Sequence, residues 1–84
     1  MDIRQPLTDL DRRLLDRLAA RGLPVHVLLT KADKLGRGKA TAALRQARET
    51  LDSDFPGVSA QLFSVLTREG VNEAHALLDR WLGY

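Results

Sequence analysis

Apolar residues recur along this chain with two different periods. Thr8-Asp9-Leu10-Asp11 offers a helix start, a threonine cap with an acid three residues on. Leu10, Leu14, Leu15 and Leu18 then fall at helical spacing, while Arg12, Arg13, Asp16 and Arg17 take the other side. Arg21-Gly22 closes this helix. Pro24 opens a different pattern: Val25, Val27, Leu28 and Leu29 form a short β-branched run, expected as a parallel strand buried on both faces. After a loop at Gly36–Lys39, Ala40, Ala43, Leu44, Ala47 and Leu51 mark a narrow helical stripe ending near Asp52. Ser53-Asp54-Phe55-Pro56-Gly57 reads as a turn cluster. Val58–Ser64 alternates as an edge strand whose polar face is partly exposed. Val71 to Leu82 forms the last helix, with Trp81 expected as a core anchor. The chain thus predicts an α/β fold, in the order strand stub, helix, strand, helix, strand, helix.

Composition narrows the class. Eighty-four residues make one small domain, whose core is marginal at this size. No cysteine is present, which removes disulfides and thiolate metal sites. Neither histidine, His26 or His75, has a metal-ligating partner at helical or turn spacing, so both read as structural. No stretch has the length and apolarity of a membrane span, and the first residues do not form a signal peptide. The net charge of +2 comes from interspersed rather than blocked charges. It permits weak RNA association without requiring it.

Chemistry concentrates where the first strand ends. Thr30, Lys31, Ala32 and Asp33 lie at its carboxyl end, the edge at which open α/β sheets bind ligands. Thr-Lys-Ala-Asp resembles the base-recognition motif of GTPases. A carboxylate there accepts from guanine N1–H and the exocyclic amine together, and a lysine stem can lie along the base face. Four residues by themselves fit an ordinary polar loop equally well. Gly38-Lys39 does not form a phosphate loop, because Asp33 and Ala40 stand where such a loop needs a glycine and a hydroxyl residue.

Longer matches follow in order. Met-Asp-Ile-Arg-x-Pro-Leu-x-x-x-Asp at Met1–Asp11, Leu-Leu-Thr-Lys-Ala-Asp-Lys-Leu at Leu28–Leu35 and Leu-Phe-Ser-x-Leu at Leu62–Leu66 precede Gly-Val…Leu-Asp-x-Trp at Gly70–Trp81. Together they resemble the carboxyl-terminal part of an EngB-type (YihA/YsxC) bacterial GTPase. The resemblance implies a partial Ras-like (P-loop GTPase) fold with parallel strands and right-handed crossovers, residues 1–84 being one truncated domain. It implies a cytoplasmic protein that binds GTP/GDP, with magnesium in the parent protein, and serves large ribosomal subunit assembly, cell division and septation. By the same resemblance Asp33 reads guanine, Lys31 packs on the base, and Thr30 braces the loop and ties it to the phosphate-loop segment. Ser64, Val65 and Leu66 form the second base-contacting loop, whose backbone N–H groups point at guanine O6. Val65 departs from the serine expected there, which a backbone contact tolerates.

The phosphate loop, the switch threonine and the Asp-x-x-Gly segment do not occur in these 84 residues. Phosphoryl transfer needs positioned phosphates, magnesium and an oriented water, so the fragment alone is expected to be inactive. The alternative is a small α/β interaction module that binds protein or RNA through its basic helices. Self-association through an exposed edge of the Val25–Leu29 strand is a further expectation.

Overall fold

The computed structural model describes residues 1–83. Thr8 and Asp11 form a capping box: the Thr8 Oγ1 accepts from the Asp11 N–H at 3.3 Å, and the Thr8 N–H donates to the Asp11 carboxylate at 3.1 Å. Helix α1 (Asp9–Ala20) therefore starts where local sequence chemistry places it. Gly22 follows its end with φ +67°, a conformation that suits a residue without Cβ.

Strands β1 (His26–Leu29) and β2 (Ser59–Leu62) pair in parallel, with His26 opposite Ser59 and Leu29 opposite Leu62. The chain start adds a short third rung. Asp2 bridges Thr30 in parallel, the Thr30 N–H donates to the Met1 carbonyl at 2.6 Å, and the Ile3 N–H donates to Thr30 at 3.0 Å. The sequence predicts a strand stub here; the structure has a single isolated bridge in its place, and β1 lies between that bridge and β2.

Helix α2 (Arg37–Asp54) covers one face of this sheet. Its Ala40, Ala47 and Leu51 join Val27, Leu29 and Ala60 in the core, together with Ile3, Leu15 and Phe55. Alanines allow the helix backbone to approach the strands closely, so a narrow stripe suffices. The helix begins earlier than its apolar stripe. The Gly36 carbonyl accepts from Ala40 N–H at 2.8 Å, which makes Arg37, Gly38 and Lys39 the first helical turn rather than loop. It also runs through Asp54 into the expected turn cluster, and Phe55 is buried. Arg12 of α1 meets Asp54 at 3.1 Å and links the two helices. The Arg48 guanidinium reaches from α2 to the Ala60 carbonyl at 2.8 Å and blunts the outer edge of β2.

The other face of the sheet departs from expectation. Burial along β1 alternates: Val27 and Leu29 are buried while His26 and Leu28 are half-buried, so the strand is not covered equally on both sides. Helix α3 (Val71–Leu82) lies on the His26 side but has no buried residue. Trp81 is not a core anchor. It is 44% exposed and meets the His26 ring edge-on, with centroids 6.3 Å apart. On α1 only Leu15 is buried, and Leu10 is 75% exposed. Amphipathic periodicity marks an apolar face on each helix, but most of either face is exposed among the described residues. Among the described residues no helix is long and apolar enough to cross a membrane.

Candidate functional site

Two loops leave the carboxyl ends of β1 and β2 side by side. The ladder continues past both strands: Phe63 N–H donates to the Leu29 carbonyl at 3.0 Å, and Ala32 N–H donates back to Phe63 at 3.1 Å. Between these bonds the chain must turn sharply. Lys31 does so in the left-handed region, φ +60° and ψ +35°, a conformation uncommon for a residue with a side chain. A single 3₁₀ turn, Ala32–Lys34, follows and presents Asp33.

Asp33 is held from the second loop. Ser64, fully buried at 0% exposure, donates its hydroxyl to Asp33 Oδ1 at 2.7 Å and accepts from the Thr67 N–H at 3.2 Å. The Ser64 N–H itself donates to the Glu69 carbonyl at 3.0 Å, which closes the loop on itself. The serine hydrogen bond holds the Asp33 carboxyl below its ordinary value, against a smaller opposing effect of desolvation. The carboxylate is thereby kept ionised and oriented.

Around this pair lies a cleft of about 330 Å³ lined by Lys31, Asp33, Lys34, Phe63, Val65 and Leu66, with Thr30 at its margin. Five of the six residues expected at a base site line it, and the sixth, Ser64, orients the carboxylate from below. Leu66 is 78% exposed although apolar, and Val65 is similarly open. Among the described residues the N–H groups of Val65 and Leu66 have no acceptor within the chain. The cleft thus has largely apolar walls around an anionic acceptor, and the two unpaired N–H groups belong to residues that line it. That set suits a flat heterocycle bearing both N–H and carbonyl groups.

Thr30 and Lys31 are turned toward the chain start. Thr30 Oγ1 donates to the Met1 carbonyl at 2.9 Å, so the hydroxyl braces the loop against the chain start. The Lys31 ammonium lies 3.7 Å from Asp2 Oδ2, and the residue is among those that line the cleft. Arg4 also binds Asp2, at 2.8 Å, and holds the Asp2 carboxyl far below the usual range. Sequence reading did not place Lys34 or Phe63 at the cleft. It also took Gln61 for a residue on a partly exposed face, whereas this side chain is only 1% exposed. The signal available was that His26, Ser59 and Gln61 bring polar groups to one face of two neighbouring strands.

Comparison with known proteins relates the chain to a class: it is similar, over nearly its whole length, to GTP-binding proteins. The relatives carry the name probable GTP-binding protein EngB. One from Methylobacillus flagellatus is 49% identical over 98% of this chain and 40% of its own length. Another, from Nitrosomonas eutropha, is 53% identical over 96% of the chain and 36% of its own. A third, from Burkholderia thailandensis, is 47% identical over 98% and 40%. The chain is a homologue of the EngB proteins, spans about 40% of the length of these curated relatives, and is consistent with a carboxyl-terminal part of one. No family model matches it.

Proposed function

We propose that this chain is the guanine-recognition part of a GTP-binding protein with a Ras-like fold, residues 1–84 forming part of that protein's nucleotide-binding domain. The observation that carries this reading is the Ser64–Asp33 bond beside the open amides of Val65 and Leu66. Guanine needs an acceptor for its N1–H and amine and a donor for its O6, and this cleft offers both. Adenine presents the opposite pattern at positions 1 and 6 and meets repulsion at each. Lys31 contributes its stem to one base face, Leu66 and Val65 close the slot, and Thr30 fixes the loop to the first rung of the sheet.

The phosphates of GTP or GDP would extend away from this cleft, and the 84 residues contain no phosphate loop to receive them. Among the described residues no group of three His, Cys, Asp or Glu side chains is placed to hold a metal ion. We assign the whole protein, by its relationship to the EngB proteins, a cytoplasmic role in large ribosomal subunit assembly and cell division. The test is a titration of the ¹⁵N-labelled chain with GDP and with ADP. Shifts at Lys31–Asp33 and Ser64–Leu66 with GDP alone are expected. Equal shifts with both nucleotides, or none at millimolar concentration, would remove the guanine assignment.

A second reading is self-association. Strand β1 is flanked on both sides, so the expected free edge of Val25–Leu29 is not its surface. Pairing is favoured instead by the exposed Leu10 and Leu14 on α1 and Leu78, Trp81 and Leu82 on α3. Sedimentation velocity across a concentration series tests it: a larger species growing with concentration supports pairing, and a constant monomer excludes it.

A further inference from the structure

The base loop is held at both ends by one buried side chain. Gln61 Nε2 donates to the Leu62 carbonyl at 3.1 Å and to the Gly70 carbonyl at 2.8 Å. These two carbonyls bracket the segment that contains Ser64, Val65 and Leu66. Gly70 has φ +79° and approaches Gln61 so closely that a Cβ there would stand 2.6 Å from Nε2. The amide orientation follows from this geometry, because Oε1 in the same place would face two carbonyl oxygens. Oε1 is therefore the atom 2.7 Å from His26 Nε2, and only an N–H on that nitrogen can satisfy it. In the neutral ring His26 Nδ1 then accepts from the Ser59 hydroxyl, 2.6 Å away. Trp81 closes on the ring edge. Every polar atom in the chain Ser59–His26–Gln61–Gly70 is thus accounted for, and no buried side-chain polar atom among the described residues lacks a partner.

We propose that Gln61, its orientation set by the Leu62 and Gly70 carbonyls and its Oε1 tied to His26, is a positioning residue for nucleotide recognition. It clips the ends of the Leu62–Gly70 loop so that Ser64 stays on Asp33 and the Val65 and Leu66 amides stay at the cleft. The role rests on the guanine reading of that cleft, while the clip itself is a property of the free chain. Gln61 touches no part of the cleft and acts through Ser64. His26 acts one step further back, from the opposite face of the sheet to the one that packs on α2.

Amide hydrogen exchange on the nucleotide-free chain tests the clip. Gln61→Glu retains an acceptor for His26 but removes both donors to the carbonyls, and Gln61→Leu removes all three bonds. His26→Phe preserves the ring against Trp81 and removes the Nε2 donor. Exchange at the Ser64 and Thr67 amides is expected to accelerate by about tenfold or more in both Gln61 variants. A smaller acceleration is expected in His26→Phe, with the α2 amides of Ala47 and Leu51 unchanged in all three. The Asp33 carboxyl should titrate at higher pH in the same order, a readout that general loosening of α2 would not produce. Wild-type protection of Ser64 and Thr67 in Gln61→Glu overturns the proposal. Should the Gln61 variants unfold, the wild-type histidine decides: ¹⁵N spectra showing the Nε2–H tautomer support the clip, and the Nδ1–H tautomer overturns it. Weaker GDP binding by about tenfold in Gln61→Glu extends the clip to recognition, and unchanged affinity refutes that extension. If the wild-type chain binds no GDP, the guanine reading fails while the exchange data still judge the clip.

Discussion

Ser64 donates its hydroxyl to Asp33 across 31 positions of sequence, at 2.7 Å. This bond joins the loop after β2 to the loop after β1, and no pattern local to either one contains it. It makes Asp33 a stronger acid than a free aspartate and fixes one of its oxygens, so the carboxylate stands ionised and oriented.

Ser64→Ala is expected to raise the Asp33 titration toward the ordinary aspartate value of about 3.9. The sign follows from linkage. A carboxyl with a depressed folded value stabilises the fold at pH above its unfolded value, and that contribution is lost as pH falls through the folded one. Acid unfolding of the wild type should therefore extend to lower pH than that of Ser64→Ala. Carboxyl ¹³C titration of Asp33, read beside the unfolding curves, checks both halves. Coincident titrations in the two proteins would show that the bond has no electrostatic consequence.

Gly70→Ala should be among the most damaging single-methyl additions in the chain. The new Cβ would collide with the Leu62 carbonyl and with Gln61 Nε2 at a positive φ. The left-handed backbone and the clash together predict a loss of about 2–4 kcal/mol. By contrast Gly38, in the first turn of α2, has nothing within 4 Å of an added Cβ, so Gly38→Ala should be neutral or stabilising. Thermal melts of the two variants should move in different directions.

Thr8→Ala removes one half of the α1 capping box and leaves the Asp11 amide without its acceptor. The expected loss is about 1 kcal/mol, or roughly 4–8 °C in melting temperature for a domain of this size. Thr8→Ser should retain most of the stability. Equal losses in the two variants would show that the methyl group, not the hydroxyl, matters there.

The purified 84-residue chain is expected to show no GTP turnover above buffer, with or without magnesium. The expectation rests on the phosphate-loop and switch motifs, which in GTPases cradle the transferred phosphoryl group and orient the water and which do not occur in these 84 residues. Phosphate release assays measure this directly, and turnover that survives repurification and copurifies with the chain would contradict it.

Local chemistry made several features legible from the sequence alone. Thr8 and Asp11 are three residues apart, so their mutual capping is decided within one helical turn. The bounds of α3 follow from Gly70, the apolar period and Gly83, and Pro24 with the valines marks β1. Thr30, Lys31, Asp33, Ser64, Val65 and Leu66 could be named as one site because a resemblance ordered them, although their residue types alone would also fit two ordinary loops. Tertiary structure decided the rest. Periodicity shows which helix face is apolar but not what covers it, so Leu10 and Trp81 were legible as apolar positions and illegible as exposed ones. Gln61 reads as a polar position in an alternating strand, yet it is buried because two carbonyls and a histidine converge there from segments distant in sequence. The left-handed turn at Lys31 is likewise imposed by the bonds on either side of it, Leu29 with Phe63 and Ala32 with Phe63. Sequence patterns determine what neighbouring residues along the chain can do together. Burial and hydrogen bonding between segments depend on which surfaces meet, and only the folded chain determines that.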